Sequence, residues 1–322
     1  MQNSLIIGTG SYLPPNIVTN FDLEQQFDTS NEWIVSRTGI KQRHIVENES
    51  TCDLAEQAAL NALKSANLKA NEIDLIIVAT TTADKIFPST ACLLQNRLGI
   101  TNSCPAFDVQ AVCTGFIYAL SIADKFIKQN SAKNALIIGA ETMSKIVNWQ
   151  DRSTSVLFGD GAGAVVLQAC DDSNRGILST KLHADGRYHD LLHTPGGISL
   201  GLSHGSDTVL QMKGNEVFKM AVNTLGKIAE TTLSASNFTN SDIDWLVPHQ
   251  ANNRIIMATA RKLKIAMEKV VITVDLHGNT SAASVPLALD CAVSDGRIKP
   301  GQNILLEAFG GGFTWGAALI NM

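Results

Sequence analysis

"PAFDVQAVCTGFIYAL" (105–120) passes from a strand-like run into a helix-like one, with Cys113 at the junction. Phe116, Leu120, Ala123 and Ile127 recur at helical spacing. Gly115 lets another group approach the first turn closely. The same design returns later as "VVITVDLHGNTSAASVPLAL" (270–289), where a strand-like run leads through Asn279 into a helix. From Cys113 to Asn279 the offset is 279 − 113 = 166. Two further pairs agree with it. "NEIDLIIVATTT" from Asn71 answers "SDIDWLVPHQAN" from Ser241, 241 − 71 = 170. "NALIIGAE" from Asn134 answers "QNILLEAFG" from Gln302, 302 − 134 = 168. A fourth, "FGDGAGAVVL" from Phe158 against "GGFTWGAALI" from Gly311, falls to 311 − 158 = 153.

Near-constant offsets in one order indicate an internal duplication. Each half alternates strands and helices, a βαβαβ pattern, with halves expected at 1–172 and 173–322. Continuous apolar runs such as "LIIVAT" and "ALIIG" predict α/β sheets covered on both faces. The shortened last offset predicts an extra loop in the first half, at roughly 143–156. The stretch 183–207, rich in Gly, His and Ser, reads as loop.

Bulk properties narrow the function. With 322 residues, 45% hydrophobic and 17% charged, the chain can bury a large core. A net charge of −5 argues against a global pull on nucleic acid or anionic membrane. Six cysteines (52, 92, 104, 113, 170 and 291) lack CxxC pairing, so neither zinc nor a disulfide framework is expected. No signal peptide or membrane span is read, and a reduced, cytoplasmic setting is expected.

Three residues follow strand-like runs, where α/β folds bind ligands: Cys113, His249 after "DWLVP", and Asn279. A thiol at a helix N-terminus is expected to have a lowered pKa. Histidine can exchange a proton near neutrality, whereas asparagine offers only hydrogen bonds. Together they suit thioester chemistry with an enolate oxygen held by neutral donors. Each also has a plainer reading: an inert packed cysteine, a structural histidine, and "HGN" as a turn with His277 beside it. The remaining histidines (44, 183, 189, 193, 204) show no metal-ligand spacing, and "FGDGAG" lacks the lysine of a phosphate loop. A papain-like protease shares the order Cys, His, Asn, and the gap 249 − 113 = 136 even fits. Its local cysteine signature is absent, and a duplicated strand–helix series has no place in that fold.

"DVQAVCTGF", "PHQAN", "HGNTSAAS" and "FGGGFTWG" together resemble the β-ketoacyl-[acyl carrier protein] synthase III family, and the likeness runs from "GTGSYLPP" to the C-terminus. The resemblance implies a thiolase fold, a five-layered α-β-α-β-α sandwich, in a homodimer. It implies a decarboxylative condensation of an acyl-CoA primer with malonyl-acyl carrier protein, initiating fatty acid synthesis. Cys113 would carry the acyl group, and His249 with Asn279 would hold the malonyl thioester. The N–H groups of Cys113 and Gly311 would form an oxyanion hole. Asparagine at 279, where elongating relatives carry histidine, favours a CoA primer. Trp33, Arg37, Arg152 and Asn215 would bind CoA, which is a substrate, so no cofactor and no metal is implied. Phe87 would close the acyl pocket from the partner subunit, its bulk suiting a short primer such as acetyl. Arg254, Lys219, Arg261 and Lys262 would meet the acidic carrier protein. The competing readings are a condensing enzyme of a secondary-metabolite pathway and a non-catalytic acyl-CoA-binding protein; an intact Cys113, His249 and Asn279 weighs against the latter.

Overall fold

A computed structural model describes residues 2–200 and 209–322. The first half runs β1 (Asn3–Tyr12), β2 (Ile17–Thr19), α1 (Asn20–Glu24), α2 (Asn31–Thr38), β3 (Gln42–His44), α3 (Thr51–Ala66), β4 (Leu75–Ala79), α4 (Thr90–Arg97), β5 (Ala106–Val109), α5 (Gly115–Lys128), β6 (Asn134–Thr142), α6 (Arg152–Ser155) and β7 (Asp160–Cys170). The second runs β8 (Gly176–Ala184), β9 (Leu192–His193), β10 (Gln211–Met212), α7 (Gly214–Ser234), β11 (Trp245–Pro248), α8 (Asn253–Leu263), α9 (Val274–His277), α10 (Ser284–Ser294), β12 (Asn303–Gly310) and β13 (Thr314–Asn321).

Two mixed sheets follow the same plan. The first has the order β1-β7-β6-β4-β5, the second β8-β13-β12-β11. In each, a parallel pair (β4 with β6, β11 with β12) is followed by a strand that returns antiparallel (β7, β13). Every residue of β6 is buried, as an unbroken apolar run requires when helices cover both faces. The middle layer is α5 and α10. Phe116, Leu120, Ala123 and Ile127 of α5 share one core with Val285, Ala288 and Leu289 of α10 and with strands of both sheets. Helices α3 and α4 cover the outer face of the first sheet, α7 and α8 that of the second. The result is five layers, α-β-α-β-α. The first sheet draws only on residues up to Cys170, the second only on residues from Gly176.

The repeat register differs from the sequence reading. Cys113 lies in a 3-10 turn, Val112–Thr114, ahead of α5, and the matching turn ahead of α10 is Ser281–Ala283. Val112 and Ser281 both adopt φ +48°. Their offset is 281 − 112 = 169, so Cys113 matches Ala282 (282 − 113 = 169) and not Asn279. The reason is local. The stretch from Val270 forms one isolated bridge to Leu246, and Val274–His277 is a helical turn, so the chain takes 281 − 270 = 11 residues from that bridge to its 3-10 turn, against 112 − 106 = 6 from Ala106 to Val112.

The two turns cross over between halves. Val112–Thr114 packs on β12 and Ser281–Ala283 on β6. Gly139 makes the second contact possible: a Cβ there would lie 2.3 Å from the Ala282 carbonyl oxygen. The extra loop of the first half is present, 143–159 between β6 and β7 against 311–313 between β12 and β13. The expected loop at 183–207 opens with the end of β8 and includes β9; its residues 201–207 lie outside the described residues.

Gly139→Ala should therefore destabilise the fold by about 1–3 kcal/mol, the typical cost of overpacking, because the obstructing atoms are backbone. The urea midpoint checks this, with Gly99→Ala, a helix-end glycine with open space but φ +66°, as a contrast that isolates backbone strain from crowding.

Candidate active site

Cys113, His249 and Asn279 line one enclosed cavity of about 90 Å³, walled by apolar side chains such as Leu225, Ile255 and Phe309. Each is buried, at 4%, 5% and 7% exposure. They come from separate elements: the turn before α5, the end of β11, and the loop between α9 and α10.

His249 is fixed at both ends. Its main-chain N–H donates to the Glu307 carbonyl (2.8 Å), and Nδ1 lies 2.5 Å from Ser284 Oγ. That hydroxyl also accepts the Gln250 N–H at 3.2 Å, and its own hydrogen is one that Nδ1 can accept. Burial pushes the His249 pKa down to about 3, so the ring is neutral at physiological pH. A neutral ring that accepts at Nδ1 carries its proton on Nε2.

Asn279 is held from the first half. Its N–H donates to the Leu157 carbonyl (2.8 Å), and its own carbonyl accepts the Gly159 N–H (3.1 Å). Asn279 Oδ1 accepts the Ser281 N–H at 2.9 Å, which leaves the amide NH2 as the free donor. Gly278 enters this loop at φ +68°, with a hypothetical Cβ 3.1 Å from both Arg43 Cβ and the Leu157 carbonyl oxygen. Arg43 is fully buried beneath it and donates to Asn20 Oδ1 (2.9 Å) and the Val156 carbonyl (2.7 Å).

The thiol departs from expectation. Burial pushes the Cys113 pKa up to about 12, outweighing the opposing hydrogen bond from Ser281. Desolvation of the anion wins over its place near a helix start, so Cys113 is a thiol at neutral pH. Sequence reasoning missed Ser281, Ser284 and Glu141. Ser281 donates to the buried Glu141 at 3.0 Å, and only its place in "NTSAAS" hinted at a role.

The residues expected to bind CoA are brought together. Ser30 caps α2 at the Trp33 N–H (3.1 Å), and Gly39 ends the helix at φ +78°. The Arg37 and Arg152 guanidinium carbons stand 5.8 and 5.1 Å from the Trp33 ring centre. Trp33, Arg37 and Asn215 line a second cavity of about 330 Å³. Leu157, Met212, Gly214, Phe218 and Asn252 line both cavities, so the two adjoin between Trp33 and Cys113.

Among residues expected to meet a carrier protein, Arg254 lines the outer cavity and stacks 5.1 Å over Phe218. Lys219 and Arg261 are exposed. Lys262 clasps α7, donating to the Asn223 carbonyl (3.0 Å) with its stem against Gly226. Gly310 packs directly on the Cys113 main chain, and Gly311 follows it beside Val112. Phe87 is 82% exposed and lines neither cavity, so within one chain it does not reach Cys113.

Comparison with known proteins agrees with this geometry. The family profile "3-Oxoacyl-[acyl-carrier-protein (ACP)] synthase III" matches residues 107–186, and its C-terminal counterpart matches 233–322. The chain is 61% identical over 323 residues, 99% of each chain, to "Beta-ketoacyl-[acyl-carrier-protein] synthase III" of Thioalkalivibrio sulfidiphilus. The crystal structure of 3-oxoacyl-[acyl-carrier-protein] synthase III from Aquifex aeolicus superposes with a TM-score of 0.94 at 49% identity, covering 99% of this chain and 100% of that one. The priming β-ketosynthase from the R1128 polyketide biosynthetic pathway also superposes, at TM-score 0.94 and 34% identity, covering 99% and 96%. Residues of both halves, the enclosed Cys-His-Asn cavity and full-length identity lead to one conclusion: the chain belongs to the β-ketoacyl-[acyl-carrier-protein] synthase III family.

Proposed function

We propose that the chain condenses an acyl-CoA primer, acetyl-CoA first, with malonyl-acyl carrier protein to give 3-oxoacyl-carrier protein, CoA and CO2. The observation that carries this reading is the pair of adjoining cavities, an outer one lined by Trp33 and an inner one lined by Cys113, His249 and Asn279. Arg152 stacks on the Trp33 ring, so a CoA adenine would enter by parting the two. The primer's thioester carbonyl would meet the Cys113 thiolate, with the Cys113 and Gly311 N–H groups receiving the developing oxyanion.

After CoA leaves, a malonyl thioester would enter the same two cavities. Its carbonyl oxygen would accept from His249 Nε2–H and the Asn279 NH2. As CO2 departs, charge builds on that oxygen. Two neutral donors in a dry cavity stabilise an enolate without first having to be neutralised. The enolate carbon then attacks the acyl-Cys113 carbonyl and frees the thiol.

In this reading the protein works as a cytoplasmic homodimer. Exposed Phe87 and Ile86 (82% and 65%) suit a subunit contact. No helix among the described residues is long and apolar enough to cross a membrane. The acidic carrier would approach the exposed Arg261 and Lys219, beside Arg254 in the outer cavity. A polyketide-priming role is the second reading, favoured by the 34% identical R1128 relative; preference among carrier proteins separates the two.

Intact mass after incubation with acetyl-CoA should show one acetyl group, and none on Cys113→Ser. Absence of the adduct on the native chain with every acyl-CoA tried would overturn the reading. Asn279→Ala should slow malonyl decarboxylation about 10²–10³-fold, the cost of one oxyanion donor. Because His249 stays neutral down to about pH 3, decarboxylation should be flat from about pH 5 to about pH 8. A fall in rate through about pH 6.5 would mean that the ring titrates normally. Arg261→Glu should slow condensation several-fold at low salt and much less at high salt, with acetylation by acetyl-CoA unaffected.

A further inference from the structure

His249 and Asn279 serve one thioester oxygen only if their spacing is held, yet they stand on different segments. The side chain next to the histidine bridges the gap. Gln250 is 1% exposed, and its amide makes four hydrogen bonds. Nε2 donates to the carbonyls of Pro248 (2.8 Å) and Val271 (3.1 Å). Oε1 accepts the N–H groups of Thr273 (2.9 Å) and Val274 (3.1 Å). A primary amide has two donor hydrogens and two acceptor lone pairs, so this one is fully engaged.

A proline explains why an amide stands here. β11 begins a parallel ladder with the stretch from Val270, and the Val271 N–H donates to the Leu246 carbonyl at 2.9 Å. In a parallel ladder the next bonds would run from an N–H at position 248 to the Val271 carbonyl, and from the Thr273 N–H to the carbonyl at 248. Pro248 has no N–H, so the first of these cannot form. The Gln250 amide replaces both. It lies between the two chains like an extra peptide unit, donating to both carbonyls and accepting the Thr273 N–H.

The same oxygen starts α9. Thr273 makes no side-chain cap, so the first N–H groups of the turn rely on Gln250 Oε1. One turn on, the Val274 carbonyl accepts the Gly278 N–H (3.1 Å), and Asn279 follows. Leu157 and Gly159 hold Asn279 against the first half; Gln250 holds the same segment against β11. On the histidine side, the Gln250 N–H and His249 Nδ1 share Ser284 Oγ.

We propose that Gln250 is a positioning residue for the malonyl half-reaction, its amide setting the spacing of His249 and Asn279. The proposal rests on the reading of those two side chains as donors to the malonyl thioester oxygen. None of the four bonds reaches the Cys113 turn, so acylation does not depend on them.

Gln250→Met keeps the length of the side chain and removes all four bonds. Two readouts on the full chain separate the half-reactions: acetylation of Cys113 by intact mass, and CO2 release from malonyl-acyl carrier protein. CO2 release should fall about 10²-fold, the cost of misplacing a group by about 1 Å, with acetylation within about twofold of native. In an Asn279→Ala background the same change should cost a further factor of about three at most, because no pair is left to space. Loss of both half-reactions together, or a second loss of about 10²-fold in the Asn279→Ala background, marks a role in the fold alone and overturns the proposal. So does CO2 release at the native rate.

Should Gln250→Met fail to fold, Gln250→Glu decides. The protonated acid accepts at one oxygen and donates from the other to one of the two carbonyls; the carboxylate donates to neither. Its CO2 release should therefore fall as pH rises, without a parallel fall in acetylation, where the native profile is flat. A flat Gln250→Glu profile overturns the proposal. A crystal structure of the variant uses no substrate. Asn279 displaced from His249 retains the spacing role even if the native chain releases no CO2, which would reject the substrate reading alone; Asn279 unmoved overturns the proposal.

Discussion

Everything in the site depends on the reciprocal packing of two tight turns, each set against a strand of the other half. Val112 and Ser281 both hold φ +48°, a region that a β-branched residue such as valine rarely occupies. Surroundings must over-determine such a conformation for it to persist. Gly310, against the Cys113 main chain, and Gly139, against Ala282, supply those surroundings by omitting a side chain where two backbones meet. The crossing sets the thiol on one turn beside the hydroxyl on the other. It also brings the Asn279 loop against Leu157 and Gly159 of the first half.

The two turns are related by an offset of 169, yet chemically they have diverged. Val112 answers Ser281, Cys113 answers Ala282, and Glu141 answers Gly310 (310 − 141 = 169). One turn keeps the thiol; the other keeps a hydroxyl, Ser281, that donates to Glu141. Glu141 stands on the strand facing the Ser281 hydroxyl, and its counterpart Gly310 lets the Cys113 turn close in. Burial then sets the resting charges. The thiol is pushed up to about 12 and the imidazole down to about 3, so both are neutral at physiological pH.

Much of this was legible in the residues. Unbroken apolar runs gave covered sheets, the 3.6-residue spacing gave the buried face of α5, and the internal repeats gave the halves. Cys113, His249 and Asn279 were legible because the residue types suit one chemistry and each follows a strand-like run. The register was not. "VVITVDLHG" has the composition of a strand, but Val274–His277 coils, because nothing in local propensity reveals that the strand is reduced to one bridge. The thiol's ionisation was misjudged for a related reason: helix position can be read from sequence, whereas desolvation depends on what folds over it. Ser281, Ser284 and Glu141 were invisible because their roles lie in contacts between residues 35 to 140 apart in the chain. Lys262 reads as a surface charge and proves to be a clasp between α7 and α8.

The longer connection at 143–159 has a further consequence. A duplicated fold begins with two equivalent crevices, one for each half. The connection that carries Arg152 to the Trp33 ring exists in the first half alone, and its counterpart at 311–313 is too short to build any such gateway. One ancestral crevice thus kept a doorway while the other became its wall. Among the described residues the duplication therefore does not repeat the Trp33–Arg152 arrangement, and one acyl group for each subunit, not one for each repeat, is the stoichiometry expected.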